Sequence, residues 1–181
     1  MNYVTLNGIA SKDEKSSMPD SFEIKTATVQ DVPLILSFIK ELAEYEKLLH
    51  LVAATEDILK ETLFGKKAHA EVIIGYLNHQ PVSFAFYFHN FSTFLGRPGI
   101  YLEDLFVRPA ARGKGIGQKM LAYLAYLAKE RNCGRLEWCV LDWNETAIGF
   151  YKRIGAKAMD EWTVYRVTDE ALDNLAGEWV K

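Results

Sequence analysis

The chain has 181 residues, 49% of them hydrophobic, which is enough to bury one ordinary core and too few for two domains of normal size. Its 21 Lys and Arg residues are offset by 24 Asp and Glu residues, so the net charge of -3 excludes a general attraction to nucleic acid or to an anionic membrane surface. Any anionic ligand must therefore be bound by a local group of basic residues.

The cysteines and the hydropathy of the chain indicate the cellular compartment in which it works. Cys133 and Cys139 are too few for a disulfide framework or a zinc site and stand among apolar residues, so we expect two small buried side chains in a reducing compartment. No run approaches the ~18 apolar residues of a membrane span, and the N-terminus lacks the apolar segment of a signal peptide. We expect a cytoplasmic protein that binds neither a metal nor a membrane.

The N-terminal third predicts a lead, a strand and a helix. Residues 1 to 20 are polar and lack helical or strand periodicity, so we expect a flexible lead before a single domain over residues 21 to 181. A short strand is predicted just after the lead. Thr28 and Asp31 have the spacing of a capping box, and apolar residues then recur at helical spacing, which predicts a helix over residues 31 to 48.

A second helix and a hairpin follow. Thr55 is a typical N-cap and Gly65 a typical stop, so a short helix is predicted between them. Two apolar runs around a turn at residues 78 to 81 predict an antiparallel hairpin, with one strand face in the core. Turn-forming residues then predict a loop over Asn90–Gly99, whose phenylalanines either line a site or pack on the sheet edge. The predicted core face consists of Val82, Phe84, Phe86 and Phe88.

The C-terminal part alternates helices with strands, which indicates an α/β (α+β) fold with a mixed sheet covered by helices on both faces. The predicted elements are a helix from Ile116 to about Arg131, a strand over Arg135–Leu141, a helix from the N-cap Asn144 to Gly155, a strand over Trp162–Val167 and a short helix over residues 169 to 176.

The segment RGKGIG, Arg112–Gly117, is the most informative motif. A Walker loop needs Ser or Thr after Gly-Lys, where Gly115 stands here, and a dinucleotide fingerprint needs a glycine where Gln118 stands. What remains is a glycine-rich loop that exposes backbone N–H groups at a helix start, an arrangement that favours a pyrophosphate. The alternative is a tight strand-to-helix turn. Local positive charge is supplied by Arg108, Arg112, Lys114 and Lys119.

Glu103 and Asp104 are adjacent carboxylates in an otherwise apolar strand. Strand alternation predicts that they point to opposite faces. Burial would raise the pKa of a carboxyl here and suit it to act as a base on an amine. Alternatively, both belong to structural hydrogen-bond networks.

These motifs resemble the GCN5-related N-acetyltransferase (GNAT) superfamily, whose signature is Arg or Gln, two residues, Gly, one residue, then Gly or Ala. Arg112, Gly115 and Gly117 match it. The resemblance spans nearly all of residues 22 to 170 and implies a mixed, mostly antiparallel central sheet and acetyl-CoA as cosubstrate. It implies main-chain contacts to the pantetheine arm from Leu105, Phe106 and Val107. The implied pyrophosphate contacts are Arg112, Gly113, Lys114, Gly115, Ile116 and Gly117.

Further blocks resemble the diamine and polyamine acetyltransferases of the spermidine/spermine and thialysine type. This narrower resemblance implies that Glu103 is the general base, directly or through water, and that Asp104 orders the amine or pairs with a structural partner. It also implies substrate contacts from Tyr45 and Glu46 at a helix end. The matching blocks are YLEDLFV, Trp143–Glu145, Phe150–Ala156 and KELAEYEKL.

The same resemblance implies a direct attack of the amine on the thioester in a ternary complex, with no acyl-enzyme. Tyr151 then protonates the departing thiolate, although a core aromatic is the alternative for this residue. For Asn144 the resemblance implies a contact with the cofactor arm, the structural alternative is a helix cap, and the two roles are compatible. We expect the homodimer that is common in the family.

The substrate is less well defined by the sequence. Leu49 and His50 stand where polyamine enzymes continue with paired acids, so a shorter diamine or a thialysine-like amino acid fits better than spermine. Two alternative functions are left open, a non-catalytic acyl-CoA-binding domain that regulates a partner and an acetyltransferase acting on a protein amine.

Overall fold

The computed structural model describes residues 21–179, so the lead predicted for residues 1 to 20 lies outside the described range. The described residues form two compact units, one ending at Cys139 and the other beginning at Val140, and each is described by itself. The single domain predicted over residues 21 to 181 stays a prediction.

The first unit contains a five-stranded sheet and three α-helices. The strands lie in chain order across the sheet, and every neighbouring pair is antiparallel except the last, which is parallel. This confirms the predicted mixed, mostly antiparallel α/β architecture. The elements are β1 (Phe22–Thr26), α1 (Val32–Tyr45), α2 (Glu56–Phe64), β2 (Glu71–Leu77), β3 (Gln80–Ser92), β4 (Arg97–Val107), α3 (Ile116–Glu130) and β5 (Leu136–Trp138), with short 3-10 turns at Val29–Asp31, Leu49–Leu51 and Pro109–Ala111.

Both predicted helix starts are confirmed. The carboxylate of Asp31 accepts the backbone N–H of Thr28 at 2.7 Å, and the 3-10 turn between them leads into α1. The hydroxyl of Thr55 accepts the N–H of Ile58 at 3.3 Å and so caps α2. Each bond gives a partner to an N–H group that the helix itself leaves unpaired. Helix α1 ends at Tyr45, earlier than the predicted residue 48.

Helix α1 packs on the sheet through aromatic rings. Phe38 stacks on Phe84 with ring centroids 5.2 Å apart and meets Phe106 edge-on at 6.5 Å. Each of these buried rings contributes roughly 2 to 3 kcal/mol of burial energy. Phe84 belongs to the core and the half-buried Phe86 packs against it, as predicted, whereas Phe88, also half-buried, lies 5.2 Å from the ring of Tyr101.

The loop is shorter than the one predicted over Asn90–Gly99, so that prediction is wrong in its bounds. Strands β3 and β4 stay paired through Asn90 with Gly99 and Ser92 with Arg97, so the connection spans only residues 93 to 96. Turn-forming residues are tolerated in these strands because the ladder is completed by a neighbour. The tip of the hairpin leaves Phe94 exposed.

The second unit contains two helices, α4 (Glu145–Arg153) and α5 (Asp169–Gly177). The predicted cap is confirmed, since the side chain of Asn144 accepts the N–H of Ala147 at 3.2 Å, and Gly155 ends the helix with φ of 87°. The strand predicted over Trp162–Val167 is wrong, because these residues pair with no strand among residues 140–179.

Candidate active site

Strand β4 contains a bulge at Glu103. Asp104 lies opposite Phe86 on β3 and Leu102 lies opposite Tyr87, so Glu103 is an extra residue with no partner across the ladder. Such a bulge bends a strand and changes the direction of its side chains. Glu103 is exposed at this point, so the burial that the sequence suggested for this carboxylate is wrong.

The bulge also breaks the side-chain alternation on which the sequence analysis relied. Tyr101 lies opposite Phe88 and Asp104 lies opposite Phe86, two residues of β3 that share one face. Tyr101 and Asp104 therefore lie on the same face of β4 although they are three residues apart. The prediction that Glu103 and Asp104 point to opposite faces rests on regular alternation, and a bulged strand does not keep that alternation.

The half-buried carboxylate of the pair is Asp104, whereas Glu103 is exposed. Desolvation raises its pKa to about 6, and the negative charges of Glu103 and Glu46 act in the same direction. Burial also raises the pKa of Glu46, which follows the last residue of α1. Three acids from two elements thus concentrate negative charge beside the bulge, which favours a cationic ligand.

The edge of β4 is open beyond the bulge. Strand β5 pairs with β4 only from Ile100 to Leu102, so the following residues of β4 have no strand on that side within the described chain. The N–H of Arg108 donates to Val82 of β3, and because strand residues alternate, the main-chain groups of Val107 and Leu105 point away from β3. Phe106 turns its main chain toward β3 and its side chain into the core. Of the three expected main-chain contacts, the geometry favours Leu105 and Val107.

The glycine-rich loop has the backbone that its sequence predicts. Gly113 and Gly115 have φ of 79° and 73°, a region that other residues rarely adopt, and Gly115 is the N-cap of α3. A Cβ at either position would meet no atom within 4 Å, so the backbone here is open to a ligand. The first N–H groups of α3 lack intrahelical acceptors, and the helix dipole adds positive potential. The side chain of Ile116 is buried, so only its main chain can contact a ligand.

The basic residues around the loop have unequal roles. Arg108 donates from Nε and Nη2 to the two carboxylate oxygens of Glu41, at 2.9 and 2.6 Å, and from Nη1 to the carbonyl of Pro81. The Arg108 guanidinium holds the pKa of Glu41 below its usual value. Arg108 therefore ties the end of β4 to α1, and its expected contribution of positive charge to anion binding stays a prediction. Glu41 lies 67 residues from Arg108 in the chain, so no local spacing in the sequence reveals the pair.

Arg112 and Tyr45 join the loop to the end of α1. The Arg112 guanidinium lies 4.6 Å from the ring centre of Tyr45 and 5.7 Å from that of Phe106. Its Nε donates to the carbonyl of Val107 at 2.9 Å. Arg112 therefore fixes the loop against the end of β4 while its outer face stays exposed.

Cys139 is exposed and Cys133 only partly buried, so the prediction of two buried thiols is wrong. The Sγ of Cys139 lies 3.0 Å from the hydroxyl of Tyr101, and this hydrogen bond together with burial raises the pKa of Tyr101 to about 12. The contact extends the association of β4 and β5 one residue past their paired segment.

Tyr151 lies in α4 of the second unit. Its ring contacts that of Phe150 at a centroid distance of 5.5 Å, and burial raises the pKa of its hydroxyl. Asn144 caps the same helix. The structure places these two residues together in one unit, and their predicted catalytic and cofactor roles stay predictions.

A group that could bind a metal and a helix that could span a membrane are both absent from the described residues. Between Ser21 and Trp179, no group of three or more His, Cys, Asp or Glu residues is placed to hold a metal ion. None of the helices in this part of the chain is long and apolar enough to cross a membrane.

Comparison with known proteins agrees with this geometry. Residues 35–156 match the model of the Acetyltransferase (GNAT) family. Thialysine N-epsilon-acetyltransferase of Bos taurus is 37% identical over 166 residues, covering 86% of this chain and 97% of the relative. L-ornithine N5-acetyltransferase NATA1 of Arabidopsis thaliana is 31% identical over 197 residues, covering 84% and 86%. A solved integron cassette protein from the mobile metagenome of V. cholerae is 35% identical, covers 86% of this chain and 98% of its own, and superposes with a TM-score of 0.73.

The family match covers more than half of the chain, and the relatives align over nearly their full length. Members of this family use acetyl-CoA as the acyl donor. The chain belongs to the GNAT family and is an N-acetyltransferase.

Proposed function

We propose that the chain transfers an acetyl group from acetyl-CoA to a primary amine of a small molecule, a diamine, a polyamine or a thialysine-like amino acid, by direct attack in a ternary complex. The observation that carries this proposal is the group of three acids, Glu46, Glu103 and Asp104, beside a bulge at which the edge of β4 becomes open. A cationic amine that carries a second polar group can form charge-assisted hydrogen bonds with these three acids. The activities for which the thialysine and ornithine relatives are named support the same substrate class.

The residues present fit acetyl-CoA. The open main chain of Leu105 and the N–H of Val107 offer hydrogen bonds to an amide-containing arm, and the unpaired N–H groups at the start of α3 suit a pyrophosphate. When bound, acetyl-CoA supplies a thioester whose carbon–sulfur bond is replaced by a carbon–nitrogen bond. The proposed pyrophosphate contacts are Arg112, Gly113, Lys114, Gly115, Ile116 and Gly117, with the three glycines and Ile116 contributing through the main chain.

Two of the three acids bind the amine, and the third accepts its proton. Asp104 and Glu46 bind the substrate cation, and at neutral pH Asp104 is ionised because its pKa is about 6. Glu103, exposed on the bulge, accepts the proton that the amine nitrogen loses, directly or through a water molecule. Backbone N–H groups near the bulge polarise the carbonyl under attack.

We expect Tyr151→Phe to lower kcat about tenfold, while the Kd for CoA changes less than about twofold. Tyr151 is proposed to protonate the thiolate, and the loss is moderate because a thiol with a pKa near ~8.5 already leaves well. The checks are steady-state kinetics and calorimetric titration with CoA. Phe150→Leu, which changes the neighbouring ring without removing a hydroxyl, is the control. An unchanged kcat would remove Tyr151 from the mechanism.

The substrate class is tested by an amine panel with thiol release as the readout. The panel contains thialysine, ornithine, putrescine, spermidine, spermine and a peptide with a free N-terminus. We expect the short amines to have the highest kcat/KM, because the turn Leu49–Leu51 after α1 contains no acid, where a long polycation would otherwise meet further acids. Highest activity on the peptide would favour a protein substrate. Tight CoA binding without turnover of any amine would favour a non-catalytic domain.

The predicted cytoplasmic location and homodimer stay predictions. Sedimentation of the purified chain at several concentrations checks the oligomeric state.

A further inference from the structure

We propose that Tyr45 is a positioning residue for the acetyl-CoA loop, in addition to any contact that it makes with the amine. The inference rests on the proposed function, since it assumes that the loop from Arg112 to Gly117 binds CoA. Its basis is the stack of the Arg112 guanidinium on the Tyr45 ring.

The contacts of Arg112 form a connected set. Its guanidinium lies over two rings, 4.6 Å from the centre of Tyr45 and 5.7 Å from that of Phe106, and its Nε donates to the carbonyl of Val107. Phe106 is held in the core and Val107 is held in the sheet, so these two partners are fixed. Tyr45 comes from α1 and is 40% exposed, and its ring is the nearer of the two to the guanidinium.

The position of Arg112 decides where the loop begins. Arg112 follows the 3-10 turn at Pro109–Ala111, and the next residue, Gly113, has φ of 79°. Gly113 and Gly115 have open space around them and no side chain to hold them in place. The Arg112 side chain is therefore the anchor at the first residue of this loop, and the Tyr45 ring keeps that anchor folded against β4.

This arrangement makes a prediction that differs from a pure substrate contact. If Tyr45 only touched the amine, its loss would raise KM for the amine and leave CoA binding unchanged. If Tyr45 holds Arg112, its loss weakens CoA binding in the absence of any amine. The neighbouring Glu46 separates the two cases, because it lies beside Asp104 and has no contact with Arg112 among the described interactions.

The experiment is calorimetric titration of CoA into the purified chain without amine. We expect Tyr45→Leu to raise the Kd for CoA about three- to fivefold, the size of one cation–π contact at a partly exposed site. Tyr45→Phe keeps the ring and should stay within about twofold of the wild type. The control Glu46→Gln should leave the Kd for CoA unchanged while raising KM for the amine.

A double-mutant cycle tests whether the effect passes through Arg112. In an Arg112→Ala background, Tyr45→Leu should change the Kd for CoA by less than about 1.5-fold, because the contact is already absent. Equal effects of Tyr45→Leu in both backgrounds would overturn the inference, and so would an unchanged Kd in the single variant. A wild-type chain that binds no CoA would instead overturn the proposed function, and this inference with it. Thermal unfolding confirms that each variant is folded.

Discussion

Replacing Glu103 with glutamine should lower kcat by about a hundredfold or more, within the range that general-base catalysis contributes. The change keeps the size of the side chain and removes its ability to accept a proton. Glu103 is the extra residue of the β4 bulge and is exposed, so the substitution has little effect on packing. The measurement is kcat and KM for acetyl-CoA and for the best amine of the panel.

The binding constants separate a base from a structural residue. KM for acetyl-CoA should stay within about twofold, because the proposed CoA contacts do not include the Glu103 side chain. Glu130→Gln, at the last residue of α3 and exposed, is the matched control and should behave as the wild type. A fall in kcat of less than about threefold in Glu103→Gln would show that another group accepts the proton.

The loop shows what a sequence can specify by itself. The glycines of Arg112–Gly117 predict an unusual backbone, and Gly113 and Gly115 do adopt positive φ at the start of α3. The caps at Thr55 and Asn144 are confirmed for the same reason. In each case the residues that determine the geometry lie within about four positions of one another, as capping and turn chemistry require.

The bulge shows what a sequence leaves open. Nothing in YLEDLFV says that one residue will be left without a partner, because the register of β4 depends on β3, which is paired over ten positions from Ser83 to Ser92. The alternation rule predicts only that the two carboxylates point to opposite faces, so it does not say which of them is desolvated. Asp104 is the desolvated acid and Glu103 the exposed one.

Contacts between distant segments escape prediction in the same way. Arg108 stands close to the basic loop in the sequence, yet its guanidinium pairs with the carboxylate of Glu41 in α1. The strand predicted at Trp162–Val167 has suitable residues but no neighbouring strand, and a strand is completed only by its partner's hydrogen bonds. Side-chain type is local information, whereas the partner of a side chain or a strand is set by the fold.

Replacing Asp104 with asparagine should stabilise the folded chain at neutral pH and weaken its binding of the amine. The carboxyl of Asp104 has a pKa of about 6 in the folded chain against an ordinary value of 3.8, chiefly because it is desolvated. The folded state therefore binds the proton more tightly than the unfolded state does. As the pH rises from about 4 to about 6, the folded state loses stability relative to the unfolded one, by on the order of 2 kcal/mol.

The asparagine side chain does not titrate, so this loss is absent from the variant. The free energy of unfolding of Asp104→Asn minus that of the wild type should increase by on the order of 2 kcal/mol between pH 4 and pH 7.5. The slope is the informative quantity, because any cost of burying the amide is the same at every pH. Urea unfolding at several pH values measures it, with Asp160→Asn, an exposed acid in the second unit, as the control.

The same substitution should raise KM for the amine about tenfold or more, because it removes a desolvated negative charge that contacts a cation. In the wild type, KM for the amine should fall as the pH rises through about 6, where Asp104 becomes ionised. A stability difference that stays constant from pH 4 to pH 7.5 would show that Asp104 is solvated. Desolvation of Asp104 weakens the fold at neutral pH, and it leaves an ionised carboxylate whose charge is weakly screened by water and free to hold the substrate.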